Sequence, residues 1–481
     1  MKSYEGKLLI NGAWVDSVSR KIEEIKSPFD GVVVGQAAVA SVADVELALQ
    51  AAVSGAEIWR RTPAHQRSAI LLKAAELADQ RAEEIAQIIS SENGKSLIEA
   101  RGEAGRSGEI IRLGAFEGAH LYGSSLPLDA NKGTGLDKIG FTLRQPVGVV
   151  VAISPFNYPA LLVLHKLAPA LGSGNSVVLK PARATPLTAL AIAQCFLDAG
   201  LPAGVLNVLT GSGSELGDAL CSDSRVRKIS FTGSTSTGTY ITRIAGVKKL
   251  SLELGASSPV VVLPDADLEL ATRAVALGGY INSGQVCISV QRVIVHEKVK
   301  DDFLQALKVR VEAIKVGDPK ADGIEVGTLI NAKEAERVAT SIRVAISEGA
   351  TLITGGELDG SIVSPAIVAD VNPSASIAQD ELFGPAVAVS TATSVEEALD
   401  FANSTPYGLG SGVFTRDVDS AIRAAREIDS GIVHINWTPL WRADLMPYGG
   451  LKASGIGKEG VKSAIEEMTE VKTIILHGRN W

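Results

Sequence analysis

Val149-Val150-Val151-Ala152-Ile153 runs straight into Ser154-Pro155-Phe156-Asn157-Tyr158-Pro159. Five apolar residues without polar alternation read as a buried strand, and the two prolines mark a turn at its end. The pattern recurs at 176–179, 205–209, 228–231 and 260–263, with helical stretches such as 187–199 between some of the strands. Strands and helices in alternation predict a parallel sheet with helices on its faces. A second alternation follows, with a strand at 292–295, a long helix over 298–315, and strands near 351–353 and 386–389. The expected fold class is α/β, with two parallel-sheet domains.

Upstream, residues 1–40 read as short strands with turn signals at Asn11-Gly12 and Asp30-Gly31. Residues 41–120 are helical, with Ser41 as an N-cap and an apolar stripe through Trp59, Ile70, Leu71, Ala74 and Leu77. Gly94-Lys95-Ser96 has the look of a phosphate-loop ending, but Ile89 stands where the required glycine belongs. The segment 122–146, with its strand-like Ile139-Gly140-Phe141-Thr142-Leu143, is expected to protrude as a hairpin. The terminal strand 472–477 has no hairpin partner nearby, so it is expected to join another sheet, a neighbouring subunit's included.

A chain of 481 residues exceeds one ordinary core. Its net charge of −8 argues against a nucleic-acid surface. Cys195, Cys221 and Cys287 are too few for a disulfide framework, and the six histidines show no metal-ligand spacing. No apolar run approaches the ~20 residues that span a bilayer, and none near the N-terminus suits a signal peptide. The expectation is a cytoplasmic protein acting on small molecules, with no metal, membrane or nucleic-acid partner.

Four local features bear on chemistry. Cys287, in Ser283-Gly284-Gln285-Val286-Cys287-Ile288, is either a buried structural thiol or a nucleophile facing a cleft after a glycine turn. Asn157 is either a turn former or a ligand-facing amide at a strand end of an open sheet, able to donate to an oxyanion. Glu253, in the uncharged run Leu252-Glu253-Leu254-Gly255-Ala256-Ser257-Ser258-Pro259, is either paired with a lysine such as Lys249 or a buried general base. Phe231-Thr232-Gly233-Ser234-Thr235-Ser236-Thr237-Gly238 and Gly211-Ser212-Gly213-Ser214-Glu215-Leu216-Gly217 are Gly-rich turns after strands. Each is either a tight connection or a pyrophosphate cradle at a helix N-terminus.

In their order and spacing these motifs resemble the aldehyde dehydrogenase superfamily, in its non-acylating, hydrolytic NAD(P)-dependent branch. The resemblance runs from Ile10 to the C-terminus, and the interval from Glu253 to Cys287 is the one the family shows between base and nucleophile. It implies that an aldehyde is oxidised to a carboxylic acid. Cys287 attacks the carbonyl, Asn157 and the Cys287 N–H hold the oxyanion, hydride passes to the nicotinamide, and Glu253 activates the water that hydrolyses the thioester. The CoA-acylating branch typically lacks this glutamate. The implied cofactor residues are Ile153, Ser154, Phe156, Lys180, Arg183, Gly213, Gly217, Phe231, Thr232, Gly233, Ser234 and Leu254. Glu381 and Phe383, in the matching Glu381-Leu382-Phe383-Gly384-Pro385, are assigned to the nicotinamide ribose and ring.

The implied architecture is an atypical Rossmann cofactor domain (1–121 and 147–252), a catalytic domain (253–469) and a β oligomerisation arm (122–146 and 470–481). A homodimer or homotetramer follows from it. Two departures bear on specificity. Arg183 stands where NAD-preferring members often carry an acid, and with Lys180 it favours NADP while leaving NAD usable. Around the substrate tunnel the resemblance places Arg106, Tyr158, Leu162, His165, Val286, Ile288 and Arg442. Arg106 and Arg442 either clamp the terminal anion of a short aldehyde, or Asp444 neutralises Arg442. The first case predicts a semialdehyde, phospho-, phosphono-, sulfo- or lactaldehyde-like substrate, and the second a broad-specificity enzyme with no anion preference.

Overall fold

In the computed structural model, which describes residues 4–478, Asn11 and Gly12 both take positive φ (51° and 78°). They make the two-residue turn that folds Leu8–Ile10 onto Ala13–Val15 with Ile10 opposite Ala13. Leu9 then pairs antiparallel with Val208, attaching the hairpin to the first sheet. That sheet runs Ala13–Val15, Leu8–Ile10, Leu206–Val208, Ser176–Lys180, Val149–Ile153, Val226–Thr232, Lys249–Glu253, Gly455–Ile456. Its five central strands are parallel and its edges antiparallel. From Val149–Ile153 the chain builds outward first to one side and then to the other, so the turn 154–159 leaves the sheet at its topological switch point.

The second sheet runs Thr351–Thr354, Ala366–Ala369, Ala386–Ala392, Val290–His296, Ser258–Val262, Gly410–Phe414, Ile432–Ile435, parallel except for the first pair. Ser258–Val262 therefore belongs here, not with the first alternation in which the sequence pattern grouped it. Four residues, Leu254 to Ser257, carry the chain from one sheet to the other. Glu253 ends a strand of the first sheet and Cys287 shortly precedes a strand of the second, so the two residues meet at the junction.

The helical region opens as its sequence predicts. Ser41 caps Val42–Arg61 in a reciprocal box with Asp44, whose carboxylate accepts from the Ser41 N–H at 2.8 Å. Trp59, fully buried, donates from Nε1 to the Leu171 carbonyl at 2.8 Å.

Two expectations are sharpened. The terminal strand Thr469–His477 pairs within this chain, antiparallel to Lys138–Pro146 over nine residue pairs, and Ser125–Leu126 lies on the far side. The segment 122–146 thus supplies two strands of a three-stranded sheet, a hairpin of Ser125–Leu126 with Lys138–Pro146, and the terminal strand covers the other edge of Lys138–Pro146. Residues 479–481, assigned to the same arm, lie outside the described residues. Nor is 253–469 confined to the second sheet: Gly455–Ile456 pairs with Lys249–Glu253, and Val461, Ile465 and Met468 join the core beneath the first. Among the described residues no helix is long and apolar enough to cross a membrane.

Candidate active site

Asn282, Ser283 and Gly284 all take positive φ (49°, 55° and 70°), a strained turn that needs bracing. Glu99 accepts the Asn282 N–H at 3.0 and 3.1 Å, and a Cβ on Gly284 would lie 2.1 Å from the Gly384 carbonyl oxygen. The turn delivers Cys287 into an apolar cluster of Val286, Ile288, Leu409, Tyr448 and Tyr158. Its Sγ lies 3.0 Å from the Tyr448 hydroxyl. Burial pushes the thiol up to about 12, against the opposing influence of Tyr448 and Arg442. The Cys287 N–H finds no acceptor among the described residues.

Asn157 reaches the same junction from the switch-point turn. One amide N–H donates to the Gln285 carbonyl at 2.8 Å, so the second is the one left to offer. Its main-chain carbonyl accepts from Lys95 Nζ at 2.9 Å and from Asn282 Nδ2 at 3.0 Å. Lys95 is buried, ion-paired with Glu103 at 2.5 Å, and lies 3.6 Å from the Tyr158 ring centroid. Gly94-Lys95-Ser96 is therefore a helix end, with Gly94 in the left-handed C-cap, and a brace for Asn157.

Glu253 is 2 % exposed, and neither carboxylate oxygen has a hydrogen-bond partner among the described residues. Lys249 does not satisfy it: that ammonium donates to the Thr469 carbonyl at 2.8 Å and faces Glu470. Burial, then repulsion from Glu459, raises the Glu253 carboxyl well above the usual range. Glu459 goes the other way. Against the pull of burial, Lys166 and then Arg442 hold it down at about 2. Lys166, fully buried, donates to Glu459 at 2.8 Å, Thr232 at 2.7 Å and Ser230 at 3.3 Å.

Arg106, His165, Arg442 and Asp444 form one network, but not in the arrangement expected. Asp444 pairs with Arg106 at 2.5 Å rather than with Arg442, so Arg106 is the neutralised arginine. Arg442 stacks 3.9 Å from the Tyr448 ring centroid, faces Glu459 at 3.6 Å, and leaves its buried Nε without a partner among the described residues. His165 stands between them, with Nδ1 3.4 Å from Arg442 and Nε2 3.3 Å from Asp444. Burial, then Arg442, pulls the imidazole down to about 4, so it is neutral and accepts at Nδ1 while donating from Nε2.

Two cavities of about 640 and 620 Å³ share Thr232 as a wall. Phe156, Asn157, Leu162, Gly233, Ser234, Leu254, Cys287, Glu381 and Phe383 line the first. Ile153, Ser154, Lys180, Gly213, Gly217 and Phe231 line the second. The pair fits a dinucleotide lying across the switch point, and the buried Ser154 hydroxyl, without a partner, faces the space such a ligand would fill. Ser234 caps Thr235–Ile244 by accepting from the Thr237 N–H at 3.3 Å. Glu381 accepts the Ala256 N–H at 3.0 Å, and burial lifts it to about 7. Phe383 sits edge-on to Phe156 with centroids 5.9 Å apart. Arg183 alone of the expected cofactor residues lies outside both cavities: its Nε donates to both Glu23 oxygens at 2.8 and 2.9 Å.

A soft nucleophile, two uncommitted N–H donors, an unpaired buried carboxyl and a two-part cavity can together support acyl chemistry at sulfur. Sequence reasoning missed Tyr448, Lys166 with Glu459, and Lys95. One signal was available for Lys166: it is the sole charge in the otherwise apolar helix Leu161–Gly172, where an ammonium without a partner would be costly.

Comparison with known proteins agrees with this geometry. The aldehyde dehydrogenase family model matches residues 14–474. A 3-sulfolactaldehyde dehydrogenase of Priestia aryabhattai is 42% identical over 98% of each chain. The NADP-dependent glyceraldehyde-3-phosphate dehydrogenase of Bacillus halodurans C-125, solved with NADP, superposes with a TM-score of 0.96 at 37% identity, covering 98% of this chain and 99% of that one. An NAD-dependent aldehyde dehydrogenase of Sinorhizobium meliloti gives 0.95 at 35%, covering 99% and 95%.

The unpaired carboxyl of Glu253 makes stability depend on pH. The unfolded chain releases this proton through the ordinary carboxylate range while the folded chain retains it, so stability falls as pH rises from there. Glu253→Gln removes that slope. Its stability advantage over the parent should grow as pH rises above the ordinary carboxylate range, by up to about 1.4 kcal/mol per pH unit. An advantage constant in pH would assign the slope to another group.

Proposed function

The chain belongs to the aldehyde dehydrogenase family, and on that premise we propose that it oxidises a short aldehyde bearing a terminal anion to the free acid. The observation that carries the anion is Arg442, a half-buried guanidinium whose buried Nε has no partner among the described residues, stacked on the tyrosine that touches Cys287. Sulfur and guanidinium sit at two parts of one tyrosine side chain, so carbonyl and anion are separated by a spacer of only about two to four atoms. The two relatives named for sulfolactaldehyde and glyceraldehyde 3-phosphate support this reading, since each named substrate ends in an anion.

Cys287 attacks the carbonyl carbon, and the charge passing to oxygen is met by the Cys287 N–H and the second N–H of Asn157. A nicotinamide cofactor, held by the residues lining the two cavities, supplies the acceptor for the hydride that leaves this carbon. Glu253, which burial makes a stronger base than an exposed carboxylate, takes in its ionised form the proton of the water that cleaves the thioester from Cys287. Val286, Ile288, Tyr158 and Leu162 keep the reacting carbon out of bulk water.

For the cofactor we infer a preference for NADP with NAD usable. The Arg183–Glu23 pair lies at the surface, where such a contact contributes little, so the arginine is free to turn to a 2′-phosphate. For assembly we infer pairing with a second copy through the three-stranded sheet. Thr469–His477 is paired along one edge only, and it exposes Val471, Ile475 and Leu476.

Three measurements check these inferences. Without CoA or phosphate, Arg442→Ala should raise KM for anionic aldehydes about a hundredfold and for propanal little; equal changes would remove the anion. Arg183→Ala should lower kcat/KM with NADP about tenfold and leave NAD unchanged, whereas loss with both cofactors would mean a structural role. Light scattering should give a dimer or tetramer mass that Val471→Lys with Ile475→Lys reduces; a monomer in the parent would overturn the interface.

A further inference from the structure

The Tyr448 hydroxyl has one hydrogen-bond partner among the described residues, the Cys287 sulfur at 3.0 Å. The side chain is 3 % exposed, and its backbone is clamped to Glu459, with N–H to carbonyl contacts of 3.0 and 2.6 Å. The Arg442 guanidinium lies over the ring and fixes its tilt. A phenylalanine would fill this apolar cluster equally well, so packing does not account for the oxygen. We propose that Tyr448 is a catalytic residue that donates its hydroxyl hydrogen bond to the Cys287 thiolate and holds the sulfur in its reactive form. The proposal rests on Cys287 being the nucleophile.

While the sulfur carries its proton, either atom can be the donor. Once that proton has passed to solvent, only the hydroxyl can donate. Burial, then Cys287, pushes the phenol's own ionisation well up, so it keeps its proton beside the thiolate. A cation over the ring face withdraws density from the phenol and strengthens the O–H as a donor. The charged and titratable groups facing the sulfur are Tyr448, Glu253, Glu381 and Arg442, with Tyr158 across the cluster. Those facing Tyr448 are Cys287, Arg442 and Glu253. Arg442 is in turn faced by Glu459 and His165. Two carboxyl groups oppose ionisation of the sulfur, while Arg442 and the hydroxyl favour it. The hydroxyl alone is within bonding distance. As the sulfur lone pair becomes the S–C bond, the charge moves to the carbonyl oxygen and the donor bond weakens, with no proton leaving Tyr448.

The test is alkylation of the full-length protein by iodoacetamide, in which an S–C bond forms and iodide leaves, followed across pH and mapped by peptide mass. Cys195 and Cys221 are fully buried, so label on Cys287 is resolved from them. Tyr448→Phe should move the midpoint of the rate profile up by about one pH unit and slow labelling near neutral pH about tenfold. Incorporating 3-fluorotyrosine at 448, a more acidic phenol of nearly the same shape, should move the midpoint down. Both profiles superimposing on the parent's would overturn the proposal. Turnover surviving in Cys287→Ser would instead overturn the nucleophile assignment, a separate outcome from either profile.

Discussion

Lys166 is a fully buried ammonium, and its neutralisation sets the rest of the site. It rises from an apolar helix into the space beside the first sheet, where Glu459 lies 2.8 Å away and Thr232 and Ser230 take its remaining hydrogens. Breaking a buried pair of this kind leaves an uncompensated charge and costs several kcal/mol, on the order of 3–5. The pairing therefore pins residue 459 against the first sheet. Because Glu459 exchanges backbone hydrogen bonds with Tyr448, the aromatic beside Cys287 is pinned with it.

The same pairing governs charge. With Glu459 committed to Lys166, its hold on Arg442 is a 3.6 Å contact without a hydrogen bond. Asp444, the other acid nearby, is taken by Arg106. Arg442 is thus compensated well enough to stay half-buried and incompletely enough to leave its guanidinium open to the anion proposed for it. A neutral His165 between Arg442 and Asp444 transmits position without adding charge. Glu253 has the opposite arrangement: no cation among the described residues bonds to it, so burial raises its carboxyl and makes it a stronger base once ionised.

Local sequence displayed the fold wherever one element alone carries the pattern. Val149–Ile153 is readable because a strand covered on both faces is apolar throughout, and Ser41 and the Asn11-Gly12 turn are readable because their chemistry closes within four residues. The site was legible in its motifs: Cys287, Glu253 and Asn157 do converge at the junction of the two sheets. What stayed hidden are pairings across long stretches of chain. Arg183 meets Glu23, Arg106 meets Asp444, and Lys138–Pro146 meets the terminal strand. No period or spacing encodes such a partner; it is chosen when the sheets pack. Tyr448 was missed for the same reason, since an aromatic between a proline and two glycines reads as core until the sulfur is placed beside it.

Thr232 shows why the cofactor crevice and the buried charges are one construction. Its hydroxyl accepts from Lys166 at 2.7 Å and lies 3.3 Å from Glu459, while the residue forms the wall common to both cavities. The next residue, Gly233, donates its N–H to the Glu253 carbonyl at 3.0 Å. A Cβ on Gly233 would lie 2.6 Å from the tip of the Phe231 ring, which packs directly over this turn. Two consecutive residues of one strand end therefore bind the ammonium, shape the crevice and locate the base. A change that displaced this strand end would disturb all three together, which is the physical reason the site lies at the switch point rather than on a peripheral loop.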